Sequence, residues 1–170
     1  MFGANLRNSI ISLALQAPMS TDVTDLPNGL GGNSTTALGP DTAALRVLLV
    51  EDCQEHQRDA CKLLCRWGIK PAVVSNGVRA VKLYREQEFD IVLMDIAMPI
   101  MDGLEATMLI RRDEFKCPVH RHCPIIAYTS GWTMDDKMLW QKIGIDDVLI
   151  KPTQPEQMAA CLTRWCGRPR

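Results

Sequence analysis

A chain of 170 residues with an ordinary aliphatic content suits one domain plus a tail, and such a domain buries a sound core without metal or disulfide staples. The formal net charge is −1, and setting aside Arg7, Asp22, Asp25 and Asp41 in the first 45 residues leaves 18 basic against 17 acidic, which gives no electrostatic case for nucleic acid or an anionic membrane surface. Seven cysteines is an odd number, several at positions that read as helical or core, so reduced thiols in an intracellular protein are expected instead of a secreted disulfide scaffold.

The segment Phe2 to Leu15 has one Arg and no acid, but neither the Arg-rich pattern of a transit peptide nor the apolar core of a secretory signal. From Pro18 to Thr42 the composition turns to Ser, Thr, Asn, Gly and Pro, with Gly29, Gly31 and Gly32 close together. Little there offsets the entropy of ordering, so residues 1–44 read as a flexible leader and residues 45–167 as the folded domain. No apolar run approaches the roughly 20 residues of a membrane span.

Arg46-Val-Leu-Leu-Val50 reads as a strand closed by Glu51 and Asp52. From Gln54 to Trp67, the residues Ala60, Leu63, Leu64 and Trp67 recur at helical spacing, and Gly68 marks the stop. Pro71 to Val74 is the second strand. Asn76 is placed to cap a helix carrying Val78, Val81, Leu83 and Tyr84, which Phe89 closes. Asp90 to Met94 follows as a buried strand ending at Asp95, and Pro99 and Gly103 carry the chain through a loop. Leu104, Met108 and Leu109 fit a helix ending at Arg111 and Arg112, and a polar connector runs from Lys116 to Cys123. Pro124 to Thr129 is the fourth strand. Thr133 and Asp135 open a helix with Met138, Leu139 and Ile143, which Gly144 ends; Val148 to Ile150 is the fifth strand; and a last helix runs from Gln154 to Cys166. Five strands alternating with five helices imply an α/β fold with a parallel sheet covered on both sides, because parallel strands need crossovers.

Every strand but the second ends in a functional polar group: Glu51 and Asp52, then Asp95, then Thr129, then Lys151. In a right-handed parallel sheet these ends share one edge, where open α/β folds put their chemistry. Three carboxylates gathered there call for a cation, and hard oxygens with room for water suit Mg²⁺. A carboxylate also serves as a nucleophile toward phosphorus, and Asp95, alone at the tip of the central strand, is the natural candidate. The Lys151 ammonium and Thr129 hydroxyl would neutralise and hold a transferred group.

Glu51-Asp52, Met94-Asp95 with Met98-Pro99 and Asp102-Gly103, Ala127-Tyr-Thr129 and Lys151-Pro152, in this order and spacing, resemble the receiver domain of two-component response regulators from about Arg46 to Trp165. The resemblance implies a doubly wound, flavodoxin/CheY-like sheet of order 2-1-3-4-5. It implies that Asp95 is the phosphoacceptor, that Asp52 ligates Mg²⁺ directly with Glu51 acting through water and the Ala97 carbonyl completing the set, that Thr129 bonds the phosphoryl group and that Lys151 pairs with it. It further implies a cis Lys151-Pro152 bond, a phosphohistidine donor on a histidine kinase or phosphotransfer protein, and a downstream effector protein; the charge balance adds the expectation of no nucleic acid or membrane partner. The chemistry would be Mg²⁺-dependent self-phosphorylation and slow dephosphorylation, not enzymatic turnover. By default the protein is expected in the cytoplasm, and its small size also admits the nucleus. With the last helix close to Arg170, a stand-alone regulator, a relay intermediate and the receiver piece of a sensor kinase are the available forms, and Met1 with its leader favours the first.

The sequence departs from the family at Val148, where an aromatic that swings inward is usual. Tyr128 is adjacent but belongs to the other face of a regular strand, which makes it a poor substitute. Val148 therefore lends support to a second reading, a pseudo-receiver that binds partners without being phosphorylated. A third, an aspartyl-phosphate phosphatase, usually needs a second Asp two residues on, and that position is Ala97. Cys117-Pro-Val-His-Arg-His-Cys123 raises a structural zinc hypothesis, although its spacing matches no standard pattern. Cys61 and Cys65, one turn apart, read as buried rather than redox-active; Ile100 and Met101 are candidates for partner contact; and Asp102, Asp146 and Asp147 read as loop or capping acids.

Overall fold

The structure is a computed structural model that describes residues 44–116 and 122–166, so the expected leader, apart from Ala44, lies outside the described residues. Strands β1 (Val47–Val50), β2 (Ala72–Val74), β3 (Ile91–Met94), β4 (Ile125–Thr129) and β5 (Asp147–Ile150) form one parallel sheet of order β2-β1-β3-β4-β5. Between and after them run α1 (Gln54–Cys65), α2 (Gly77–Glu86), α3 (Gly103–Lys116), α4 (Met134–Ile143) and α5 (Pro155–Cys166).

The two-residue side-chain period of a strand splits the core into two layers. Leu48, Val50, Val92, Met94, Ile125 and Ala127 face α2, α3 and α4, where Ala80, Val81, Ala106, Ile110 and Trp140 meet them. Val47, Leu49, Ile91, Leu93, Ile126 and Tyr128 face α1 and α5, against Ala60, Leu64, Met158 and Leu162. Strands β1 and β3, two of the three interior strands, are buried on both faces. Enclosing each such Leu or Ile contributes about 1.5–3 kcal/mol, which explains why their sequence is apolar without alternation.

Local chemistry sets the element ends. Asn76 accepts from the Arg79 N–H at 2.9 Å. Thr133 and Asp136 form a reciprocal capping box, and Gly144 closes α4 with φ 105°. Helix α1 is shorter than its periodicity suggests: the Arg66, Trp67 and Gly68 N–H groups each donate three residues back, tightening the last turn before Gly68 at φ 75°. Pro71 and Pro124 fall just outside their strands, since neither has an N–H for the ladder. Helix α3 runs on past Arg112 to Lys116. Among the described residues no helix is long and apolar enough to cross a membrane.

Candidate functional site

The ladder continues one residue past three strands and so fixes the tips that carry the polar groups. The Glu51 N–H donates to Val74 O at 3.0 Å, the Asp95 N–H to Val50 O at 2.9 Å and the Lys151 N–H to Thr129 O at 2.8 Å. Because β1 lies beside β3, Glu51 and Asp52 stand next to Asp95, and one carboxylate oxygen from each lies within 4.8 Å of the others. The Lys151 ammonium reaches across from β5 to Asp95 Oδ2 at 3.0 Å and also pairs with Glu51 Oε2. The Lys151-Pro152 bond is cis. Of the predicted residues, four therefore converge, with Glu51, Asp95 and Lys151 buried and Asp52 exposed.

Thr129 is buried at the tip of β4, where its hydroxyl donates to Gly131 O at 3.1 Å instead of meeting a site carboxylate. The Ala97 N–H donates to Asp95 Oδ1 at 3.3 Å, so this residue touches the site through its backbone as well as lying beside it in sequence. The loop that follows is tightly held. A side chain at Gly103 would put Cβ 2.1 Å from the Asp95 carbonyl oxygen, and Asp102 Oδ1 accepts from the Glu105 N–H at 2.8 Å to start α3. Met98 is buried and Met101 half-buried, while Ile100 stands 82% exposed at φ 74°, a left-handed conformation that costs a β-branched residue about 1–2 kcal/mol.

Charge at this edge is unbalanced. Three carboxylates face one ammonium, and Glu51 has no exposed surface at all. Glu51 Oε2 accepts no hydrogen bond beyond its ion pair with Lys151. Burial pushes the Glu51 carboxyl above its ordinary range, against the pull of the Lys151 hydrogen bond and with the Asp95 charge adding to the rise. A buried acid that shares a single ammonium with a neighbouring carboxylate, next to two further hard oxygen donors, is a donor set that fits a small divalent cation.

Two contacts of the site were not legible in the sequence. His56, in the first turns of α1, holds Nδ1 3.1 Å from Glu51 Oε1, and the Cys53 N–H donates to the same oxygen at 3.3 Å. Tyr128 does lie on the α1 and α5 face, as strand alternation requires, yet its ring sits under the Lys151 ammonium, 4.9 Å from Nζ to the centroid. The available signals were a histidine one turn into the helix after an acid pair, and an amphipathic ring beside the strand-end hydroxyl.

Of the segment considered for zinc, His122 and Cys123 lie among the described residues. Cys117 and His120 lie outside the described residues. His122 Nε2 lies 2.9 Å from Asp146 Oδ1 and its Nδ1 3.4 Å from Glu114, while Cys123 is buried and its thiol is pushed up to about 12 by burial. Arg111 ties this corner together, reaching Glu114 Oε2 at 2.7 Å, Asp146 Oδ2 at 2.6 Å, Gly144 O at 2.8 Å and Cys123 O at 2.9 Å. Asp146 also accepts from the Ile125 N–H at 2.8 Å, so it pins the start of β4. Cys53, Cys61, Cys65, Cys123 and Cys161 are free thiols; Cys61 is half-buried and Cys65, contrary to expectation, exposed.

The sequence matches the family described as response regulator receiver domain over residues 47–163. It is 34% identical over 126 residues to hybrid signal transduction histidine kinase G of Dictyostelium discoideum, covering 73% of this chain and only 4% of the kinase. Among solved structures, the receiver domain of sensor histidine kinase PA1611 from Pseudomonas aeruginosa PAO1, with magnesium coordinated in its active site cleft, is similar with a TM-score of 0.65 and 33% identity, over 73% of this chain and 98% of that one. The receiver domain of Saccharomyces cerevisiae Ssk1, crystallised with the histidine phosphotransfer protein Ypd1, is similar with a TM-score of 0.67 and 27% identity, over 71% of this chain and 88% of that one. With the sheet order, the acidic edge and these likenesses in agreement, the chain belongs to the response regulator receiver domain family.

Proposed function

We propose that this chain accepts a phosphoryl group on the Asp95 carboxylate from a phosphohistidine donor in a two-component phosphorelay. The observation that carries the reading is the convergence of Asp95 with Glu51, Asp52 and the Lys151 ammonium on one sheet edge. An Asp95 oxygen attacks phosphorus, the phosphorus–nitrogen bond of the donor breaks, and the histidine nitrogen leaves with the electron pair. Asp52 and Asp95, with Glu51 and the Ala97 carbonyl, are the groups that would hold Mg²⁺, which when bound would supply positive charge against the transferring oxygens. Lys151 neutralises the product and Thr129 turns its hydroxyl from Gly131 toward it. The magnesium in the PA1611 receiver and the phosphotransfer partner of the Ssk1 receiver support the choice of ion and the class of donor, a histidine kinase or phosphotransfer protein.

Incubating the protein with acetyl phosphate and Mg²⁺ should raise its intact mass by one phosphate, and Asp95→Asn should abolish the gain. An unmodified wild-type mass would favour the second reading, an interaction module that is not phosphorylated. That reading draws on Val148, which is half-buried against the α2 to α4 layer and offers no ring to swing.

A further inference from the structure

Of the three acids at the edge, Glu51 alone has no exposed surface, and its side chain turns about one more bond than either aspartate. Its carboxylate and carbonyl are nonetheless held at four points. Oε2 pairs with Lys151, while Oε1 lies 3.1 Å from His56 Nδ1 and accepts from the Cys53 N–H at 3.3 Å. Because an ionised carboxylate only accepts, Nδ1 carries the hydrogen of the His56 contact. The next residue of α1 grips the backbone, Gln57 Nε2 donating to the Glu51 carbonyl at 2.7 Å. One turn of α1 therefore holds Glu51 from one side, and Lys151, which is shared with Asp95, draws it from the other. The Cys53 bond is longer than the usual N–H···O range. Removing the imidazole leaves Oε1 on that bond alone, and the carboxylate can then turn about Cγ–Cδ and offer both oxygens to the ammonium.

Resting on the reading of Asp95 as a phosphoacceptor that works with Mg²⁺, we propose that His56 is a positioning residue whose Nδ1–H fixes the Glu51 carboxylate in the orientation that serves the cation at the acidic edge. It acts through Glu51 alone. Losing a group that orients a metal ligand typically weakens metal binding by roughly 10–100-fold. Since the family resemblance has Glu51 acting through water, the effect of losing His56 belongs at the lower end, about tenfold.

The test measures Mg²⁺ affinity from the rise in Tm across a Mg²⁺ titration, for wild type, His56→Leu and His56→Asn, and for His56→Leu combined with Glu51→Gln. His56→Leu keeps bulk without a donor and should weaken Mg²⁺ binding about tenfold. His56→Asn sets an amide nitrogen where Nδ1 stands and should return the affinity to within about threefold of wild type. With Glu51→Gln in place there is no carboxylate to orient, so adding His56→Leu should change the affinity by less than about twofold. The His56 side chain is 41% exposed, so these changes spare the core; should His56→Leu still not fold, His56→Ala takes its place. A Leu variant that binds like wild type, an Asn variant as weak as the Leu variant, or a full loss on top of Glu51→Gln overturns the proposal, as does a wild type that binds no Mg²⁺. Phosphate uptake from acetyl phosphate, read by intact mass on the same wild-type protein, separates the two readings: a protein that binds Mg²⁺ but takes no phosphate fails as an Asp95 phosphoacceptor, and the Mg²⁺ affinities still decide the role of His56.

Discussion

Two clusters of charge sit at opposite edges of the same sheet, built from the same residue types and left in opposite states. At the N-terminal edge Arg111 spans Glu114 and Asp146, His122 lies against both acids, and the Tyr84 hydroxyl and Cys123 N–H donate to Glu114 at 2.6 and 3.1 Å. At the C-terminal edge three acids share one ammonium and a buried oxygen has no hydrogen bond beyond that ion pair. A saturated cluster fixes geometry. An unsaturated one holds binding capacity in reserve, because the folded chain has left charge for a ligand to complete.

Substitutions should separate the two states, the largest effect coming from the saturated edge. Arg111→Met leaves Glu114, Asp146 and the Cys123 and Gly144 carbonyls without their donor, and should cost about 3–5 kcal/mol in urea unfolding. Asp95→Asn should do the reverse and stabilise the protein by about 1 kcal/mol, since it relieves like-charge repulsion while Lys151 keeps Glu51 as a partner. A loss of stability on that change would mean that the site is balanced after all. Added Mg²⁺ should stabilise wild type and have a much smaller effect on Asp95→Asn.

The smallest effect is a pH dependence. Hydrogen bonds to Asp146 and Glu114 raise His122 to about 9. Its contribution is therefore full below its ordinary value of 6.5 and is lost as pH rises through about 9. With His122 well over a third exposed, solvent screening reduces this to about 0.5–1 kcal/mol, and His122→Gln should flatten the stability profile in that window. Glu114 acts at the other end. Burial would raise it, but bonds from His122, Tyr84 and Cys123 and the Arg111 charge hold it down to about 2, so its share is present above 4.5 and fades as pH falls toward 2.

The sequence was most readable where a pattern is local or repeats. Strand hydrophobicity, the caps at Asn76 and Thr133, the stops at Gly68 and Gly144, and the strand-end groups Glu51, Asp52, Asp95, Thr129 and Lys151 all lie where their spacing puts them. The saturated edge was not readable. Arg111 looked like a helix end and Asp146 like a capping acid, because the two pair across 35 positions and no periodicity marks an ion pair. Alternation assigned Tyr128 to its layer correctly but carried no word of Lys151, whose long side chain crosses from the next strand tip. Side-chain reach, unlike side-chain direction, is set only once the tertiary structure exists.

Because the ends of β1, β3 and β5 supply its acids and its ammonium, the complete edge draws on residues from Glu51 to Lys151. Loop closure between Glu51 and Lys151 must precede any binding, so a partly folded chain has neither cation affinity nor an Asp95 set against an ammonium. Occupancy of the site is in this sense a census of native molecules. A ligand completing it pulls the folding equilibrium by mass action.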